Sequence, residues 1–312
     1  MFKKVKIGLA LGGGGARGLA NLGVIKALEE EKIRIAAIAG TSMGSIVGAI
    51  YAQRLDYRET ERLILRTIKH ANLRGTWLDF LSKSFRNRKK ESLIQELGYF
   101  VRKKYMSILS ANKIALEKKE KLLEPLKMML KDEPIEKTKI SFAAVAIDLV
   151  SGKQINFKGG PIIDAVYASS AIQALFPPLA KDNMLLCDGG IACSVPVEAV
   201  KELGAELTIA VAIPQPLRTE LDFGNGLEIL LRSDAVGLDK LHNLYLSMAD
   251  MVIYPQVRAI HWGNFSRTEE LIEKGYEATK AGIGLIKKRI SRKRYFRNRL
   301  EIKSTPLLMD RE

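Results

Sequence analysis

Residues 5–51, VKIGLALGGGGARGLANLGVIKALEEEKIRIAAIAGTSMGSIVGAIY, decide the fold. Val5 to Leu11 is a short apolar run ending in glycines, as a strand buried on both faces does. From Leu19 to Glu31 the apolar residues Leu19, Leu22, Ile25 and Leu28 recur at helical spacing, with Val24 beside them. Ile35 to Ala39 is a second buried strand, broken by Gly40, and Ile46, Val47, Ile50 and Tyr51 form the apolar face of a second helix. Two strand–helix units in this short a stretch imply right-handed crossovers and a parallel sheet.

Outward from this core the pattern persists. Residues 56–137 read as mostly helical, with a poorly periodic stretch from Gly75 to Lys90 crowded by Trp77, Leu78, Phe80, Leu81 and Phe85. That stretch suits a membrane-facing or lid segment, although burial is the commoner fate of such residues. Strands resume at Ile140–Ile147 and Gln154–Phe157, then Leu185–Cys187, Leu207–Ile213 and Met251–Tyr254. Helices are expected at Asp164–Ile172, stopped by Pro177-Pro178, and at Pro196–Leu203, with proline at its start. The expected architecture is α/β, a three-layer sandwich with a mainly parallel central sheet flanked by helices. One domain spans 1–286, with a helical insertion at about 56–137, and a basic C-terminal tail follows at 287–312.

The 312 residues carry 47% hydrophobic and 27% charged side chains, a globular balance that excludes a disordered chain. Cys187 and Cys193 are too few for a disulfide framework and read as reduced core thiols. No uninterrupted apolar run is long enough to span a bilayer, and the apolar start leads into glycines and Arg17 rather than a cleavage site. The expectation is a cytoplasmic protein, peripheral at the inner face of the membrane if its charge is used there. That charge is +15 and uneven. Lys287, Lys288, Arg289, Arg292, Lys293, Arg294, Arg297 and Arg299 stand together with no acid among them. Residues 81–104 add eight cations against Glu91 and Glu96, so these two segments hold nearly all the excess. Such clusters suit anionic membrane or nucleic acid, or a merely solvated tail. No zinc-finger spacing or RNP-like strand accompanies them, so no nucleic acid is expected.

Gly13-Gly14-Gly15-Ala16-Arg17-Gly18 has the G-x-G-x-x-G spacing between a strand and a helix, the dinucleotide-binding context. The second strand ends Ile38-Ala39-Gly40-Thr41, without the acid that would hold a ribose, and Leu19 stands where a P-loop needs lysine. What remains is a loop of backbone N–H groups at a helix N-terminus, suited to a phosphate or a transient oxyanion. Arg17 adds positive charge there or braces the loop through a carboxylate. Gly40-Thr41-Ser42-Met43-Gly44 fits G-x-S-x-G between a strand and a helix, a sharp turn that lifts Ser42 clear and excludes bulk at Gly40 and Gly44. An ordinary N-cap serine is the competing reading. The glycine loop leaves the same sheet edge and tips the balance toward acyl transfer.

A serine nucleophile needs a base. Asp188 with His242 or His261 formally completes a triad in the order serine, acid, histidine. Alternatively, Asp188 acts directly: it follows the apolar run Met184–Cys187, and Gly189 and Gly190 let the chain turn tightly behind it. A structural Asp-Gly turn is the bland alternative.

Together, GGGGARG at 12–18, GTSMG at 40–44 and DGG at 188–190 resemble the patatin-like phospholipases. SSAIQALFPP at 169–178, VPVEAVKELGAE at 195–206 and FSRTEELIEKGYEAT at 265–279 are similar to the bacterial, RssA-type branch. The resemblance implies a metal-independent lipid acyl hydrolase without cofactor. It makes Ser42 the nucleophile, Asp188 the proton acceptor, and Gly13, Gly14 and Gly15 with Arg17 the oxyanion hole. Gln173 and Ala212 depart from the family pattern, where proline and aspartate are usual. The expected function is cleavage of lipid or lysolipid esters, with Gly14→Pro nearly as damaging as Ser42→Ala. The alternatives are a membrane-associated regulatory or binding protein that keeps the fold without turnover, and, more weakly, a nucleotide-binding module.

Overall fold

The computed structural model describes residues 4–72, 114–213, 223 and 226–304. The first two units are β1 (Ile7–Leu11), α1 (Ala20–Glu30), β2 (Ile35–Thr41) and α2 (Met43–Arg54), followed by α3 (Tyr57–Asn72). Then come α4 (Glu120–Met129), β3 (Ser141–Asp148), β4 (Gln154–Phe157) and α5 (Ile162–Ser170). β5 (Leu179–Lys181), β6 (Met184–Asp188), α6 (Val197–Glu202), β7 (Leu207–Val211), α7 (Gly226–Ser247), β8 (Met251–Ile253) and α8 (Thr268–Ser304) follow among the described residues.

The sheet runs β5-β6-β3-β2-β1-β7-β8, with β4 also pairing β3. β3, β2, β1, β7 and β8 are parallel neighbours, and β4, β5 and β6 form an antiparallel margin. Its two faces differ because side chains alternate along each strand. Leu9, Leu11, Ile38, Phe142, Ile209 and Val211 face one side, in a core shared with α1, α2, α4, α5 and α8. Ala10, Ala37, Ala39, Ala143 and Ala210 face the other, and these small side chains let α6 and α7 approach closely. The result is the three-layer α/β sandwich expected, with each fully buried Leu, Ile or Phe contributing about 1.5–3 kcal/mol.

The expected strands are all present, with ends shifted by one or two residues. A 3-10 turn over Gly15–Leu19 precedes α1, and α5 starts two residues early behind Pro161. Further elements are β5, only three residues long, α7 and the long helix α8. Residues 287–304 continue α8 without a break, so the change at 287 is one of composition rather than of element. The Gly75–Lys90 stretch and the basic segment 81–104 lie outside the described residues. Cys187 and Cys193 are free, buried thiols. Among the described residues no helix is long and apolar enough to cross a membrane.

Candidate active site

Strand register brings the distant motifs together. Thr41 at the end of β2 pairs with Val145 of β3, and the next residue, Ala146, pairs with Asp188 at the end of β6. Asp188 therefore arrives beside Ser42, and its carboxylate accepts a hydrogen bond from the Ser42 hydroxyl. Both side chains are buried.

Ser42 sits at φ 54°, ψ −127°, a conformation that costs a non-glycine residue about 1–3 kcal/mol. It stands where an N-cap residue would, yet makes no side-chain capping bond, so its hydroxyl is left to Asp188. Buried serines hold the strained backbone. The Ser42 N–H donates to Ser169 O at 3.0 Å and Ser169 Oγ at 3.2 Å, while Ser45 Oγ and Ser170 Oγ donate to Ser42 O. The turn itself demands glycine on both sides. A Cβ on Gly40 would strike the Gly44 carbonyl, and one on Gly44 would strike the carbonyls of Leu11 and Gly12.

The glycine loop lies against this turn, near enough that a Cβ on Gly13 would stand 3.0 Å from the Ser42 Cβ. Its N–H groups divide into two sets. Gly13 donates to Ser194 O at 3.1 Å and Ala16 to Trp262 O at 2.6 Å, so both are occupied structurally. The N–H groups of Gly14 and Gly15 form no hydrogen bond among the described residues. Of the loop amides expected to bind an oxyanion, Gly14 and Gly15 are available and Gly13 is engaged. Gly14 has φ 134°, beyond reach of a proline ring fixed near about −65°, so Gly14→Pro would rebuild the loop as well as remove a donor.

Arg17 is buried, and its Nε donates to Ile260 O at 2.6 Å, which ties the loop to that carbonyl. Burial lowers its pKa to about 10, so it stays cationic at neutral pH. Neither histidine joins Ser42 and Asp188. His242 Nδ1 meets Ser194 Oγ at 2.8 Å, and His261 Nδ1 accepts the Gly263 N–H at 3.0 Å. Burial keeps both neutral at pH 7, His261 with a pKa of about 4.

Asp188 is pinned from several directions. Its N–H donates to Ala171 O at 3.0 Å, its carbonyl accepts from Gln173 Nε2 at 2.8 Å, and Gly190 N–H reaches Oδ1 at 2.8 Å. Burial pushes its pKa up to about 6, against the opposing bonds from Ser42 and Gly190. Sequence reasoning missed the supports: Asn21, whose Nδ2 holds Gly12 O at 2.9 Å, and Ser169, Ser170 and Ser194. Gln173, a departure from the family pattern in sequence, is another such support. No metal-binding cluster occurs among the described residues.

The strained serine turn, the buried carboxylate and the glycine loop thus meet at one end of a parallel α/β sheet. The family match is specific: the patatin-like phospholipase profile covers residues 9–201, and the chain belongs to that family. An uncharacterized NTE family protein of Mycobacterium tuberculosis is 35% identical over 209 residues, covering 67% of this chain and 49% of that one. Human patatin-like phospholipase domain-containing protein 6 is 31% identical over 224 residues, covering 71% of this chain and 14% of that one. This chain thus spans about half of the mycobacterial relative and a small part of the human one. Among solved structures, VipD from Legionella pneumophila matches with a TM-score of 0.41 and 16% identity over 88% of this chain and 68% of that one.

Proposed function

We propose that this chain is a serine acyl hydrolase cleaving carboxylic esters of membrane lipids or lysolipids. The supporting observation is the Ser42 hydroxyl bonded to a buried Asp188 whose pKa is raised to about 6. Ser42 Oγ attacks the ester carbonyl carbon as Asp188 takes its proton, giving a tetrahedral intermediate. The Gly14 and Gly15 N–H groups receive the oxyanion, with the buried charge of Arg17 behind them. Collapse expels the alcohol, which leaves with the proton from Asp188, and water then hydrolyses the acyl-Ser42 ester by the same route. A base with a pKa near 6 is ionised at neutral pH yet more basic than an ordinary carboxylate, which suits both transfers.

The reading places the protein in the bacterial, RssA-type branch on the segments at 169–178, 195–206 and 265–279. It has the protein work peripherally at the inner face of the membrane, with the 1–286 region as the hydrolase and the basic end as its contact. The test is labelling with a fluorophosphonate, followed by intact mass and peptide mapping. A single adduct on Ser42, absent from Ser42→Ala, is expected. No adduct in the presence of lipid vesicles would favour a binding protein without turnover.

A further inference from the structure

The far end of α8 is not a uniformly charged rod. Ile272 and Ile286 are buried and Ile290 packs on the core, which fixes the face of the helix turned toward the body. Lys280 and Lys287 both bond Glu31 at the end of α1, Lys287 at 2.6 Å, which holds the Glu31 carboxyl down to about 2. Lys287 is therefore committed to the fold. From Ser291 to Phe296 every side chain is exposed, so the helix stands clear of the body.

At about 100° per residue, the face opposite Ile286 and Ile290 carries Lys288, Arg292 and Tyr295, with Phe296 at its margin. Tyr295 is 59% exposed and Phe296 49%. The Arg292 guanidinium lies over the Phe296 ring at 5.6 Å, and Tyr295 meets Phe296 edge-on. No acidic residue occurs between Glu277 and Glu301, so nothing on the helix neutralises this face. Lys293 and Arg294 point to the other side.

We propose that this one face docks on an anionic lipid bilayer. Lys288 and Arg292 meet headgroup phosphates, while Tyr295 and Phe296 enter the interfacial layer. The charge complementarity is that of basic helices with anionic lipid. The aromatic pair decides between polyanions: rings with an apolar body and a polar rim gain from a bilayer interface, and a phosphate backbone offers them nothing equivalent. The proposal deepens the lipid-ester reading and rests on it, but vesicle binding needs no turnover. Failed labelling of Ser42 with intact vesicle binding counts against the hydrolase alone, and the reverse result counts against the docking face alone.

The test is co-sedimentation of the full chain with phosphatidylcholine vesicles, with and without phosphatidylglycerol, and with duplex DNA as a competing polyanion. Wild type is expected to bind only the anionic vesicles. Lys288→Gln/Arg292→Gln should weaken binding about 30-fold. Lys293→Gln/Arg294→Gln, which removes the same charge from the other side, should cost less than about tenfold, because screening sets in over about 8–10 Å. Tyr295→Ala/Phe296→Ala should weaken binding about tenfold, with a loss that persists at high salt. The substituted positions described are exposed, so unchanged helical circular dichroism is expected throughout. Equal losses from the two charge pairs would overturn the face in favour of unspecific charge. Absence of vesicle binding, or binding to DNA instead, would overturn the lipid assignment.

Discussion

Asp148 and Asp188 end neighbouring antiparallel strands two rungs apart on one ladder, and their surroundings drive them in opposite directions. Asp148 receives the Ser151 hydroxyl at 2.6 Å, the Leu185 N–H at 2.9 Å, and the N–H groups of Val150 and Ser151 at 3.1 Å. Those donors, the Ser151 hydroxyl foremost, hold its carboxyl down to about 2. Asp188 is buried with, among the described residues, only Gly190 and Ser42 donating to its carboxylate, and burial drives it up to about 6. The same residue type thus becomes a permanent anion stitching a turn to a strand in one place, and a group that still wants a proton in the other. Donor supply sets the role, and in the second case the scarce donor is the proton on Ser42 itself.

The sharpest way to break this contrast is to neutralise each carboxylate in turn. Asp188→Asn should lower the rate of ester hydrolysis by about 10²–10⁴, the usual contribution of a positioned base. Asp148→Asn should leave the rate within about threefold at a temperature where it is folded. Equal losses in rate would mean that both act structurally. In the wild type, log kcat/KM against pH should fall with unit slope below about pH 6, reporting ionisation of Asp188 in the free enzyme. An acid limb near about pH 4, the ordinary carboxylate range, would remove the burial argument.

Stability sharpens the comparison further, because the two groups have opposite linkage. Folded Asp188 keeps its proton to about pH 6, whereas an unfolded aspartate loses it near about pH 3.9. The folded state therefore binds more protons in that window, and stability falls as pH rises through it. Asp188→Asn escapes this penalty and should be more stable than wild type at pH 7 by up to about 3 kcal/mol, with the advantage vanishing below about pH 4. Folded Asp148 binds fewer protons than the unfolded chain between about pH 4 and pH 2. Its contribution is full above about pH 4 and is lost as pH falls toward 2, so Asp148→Asn should lower Tm at neutral pH and converge on wild type in acid. Thermal melts of the three proteins across pH measure both signs.

The contrast also shows what was legible in the sequence. Glycines 40 and 44 are written into the motif because carbonyls occupy the space a Cβ would need, and steric demands of that kind leave a readable signature. The alternation of strands and helices revealed the parallel sheet because its strands are buried on both faces. Supports made by a hydrogen bond to a remote carbonyl leave no such trace. Ser194 accepts from Gly13 across the fold, Ser169 reaches Ser42 from 127 positions away, and no periodicity announces either. That Gly13 is engaged while Gly14 and Gly15 are available depends on where the carbonyl of Ser194 falls, which the motif does not specify. The far end of α8 was hidden for a different reason: its cations mask the helical period, so the segment read as a tail.

Gln173 provides the finest test of how Asp188 is held. Its amide donates to the Asp188 carbonyl at 2.8 Å and touches the Cys187 sulfur at 3.1 Å, where a proline, the residue expected at this position, would have no donor to offer. Asp148 needs no such brace, since four donors fix its carboxylate directly. A neutral hydrogen bond of this kind contributes about 1 kcal/mol, so Gln173→Leu should lower kcat about fivefold with KM unchanged. Gln173→Glu, which swaps a donor for an acceptor facing the same carbonyl, should lower it further and move the acid limb upward, because a second negative charge near Asp188 makes its proton harder to remove. An unchanged acid limb in Gln173→Glu, with kcat and KM altered together, would show that the side chain shapes the pocket and does not position the carboxylate.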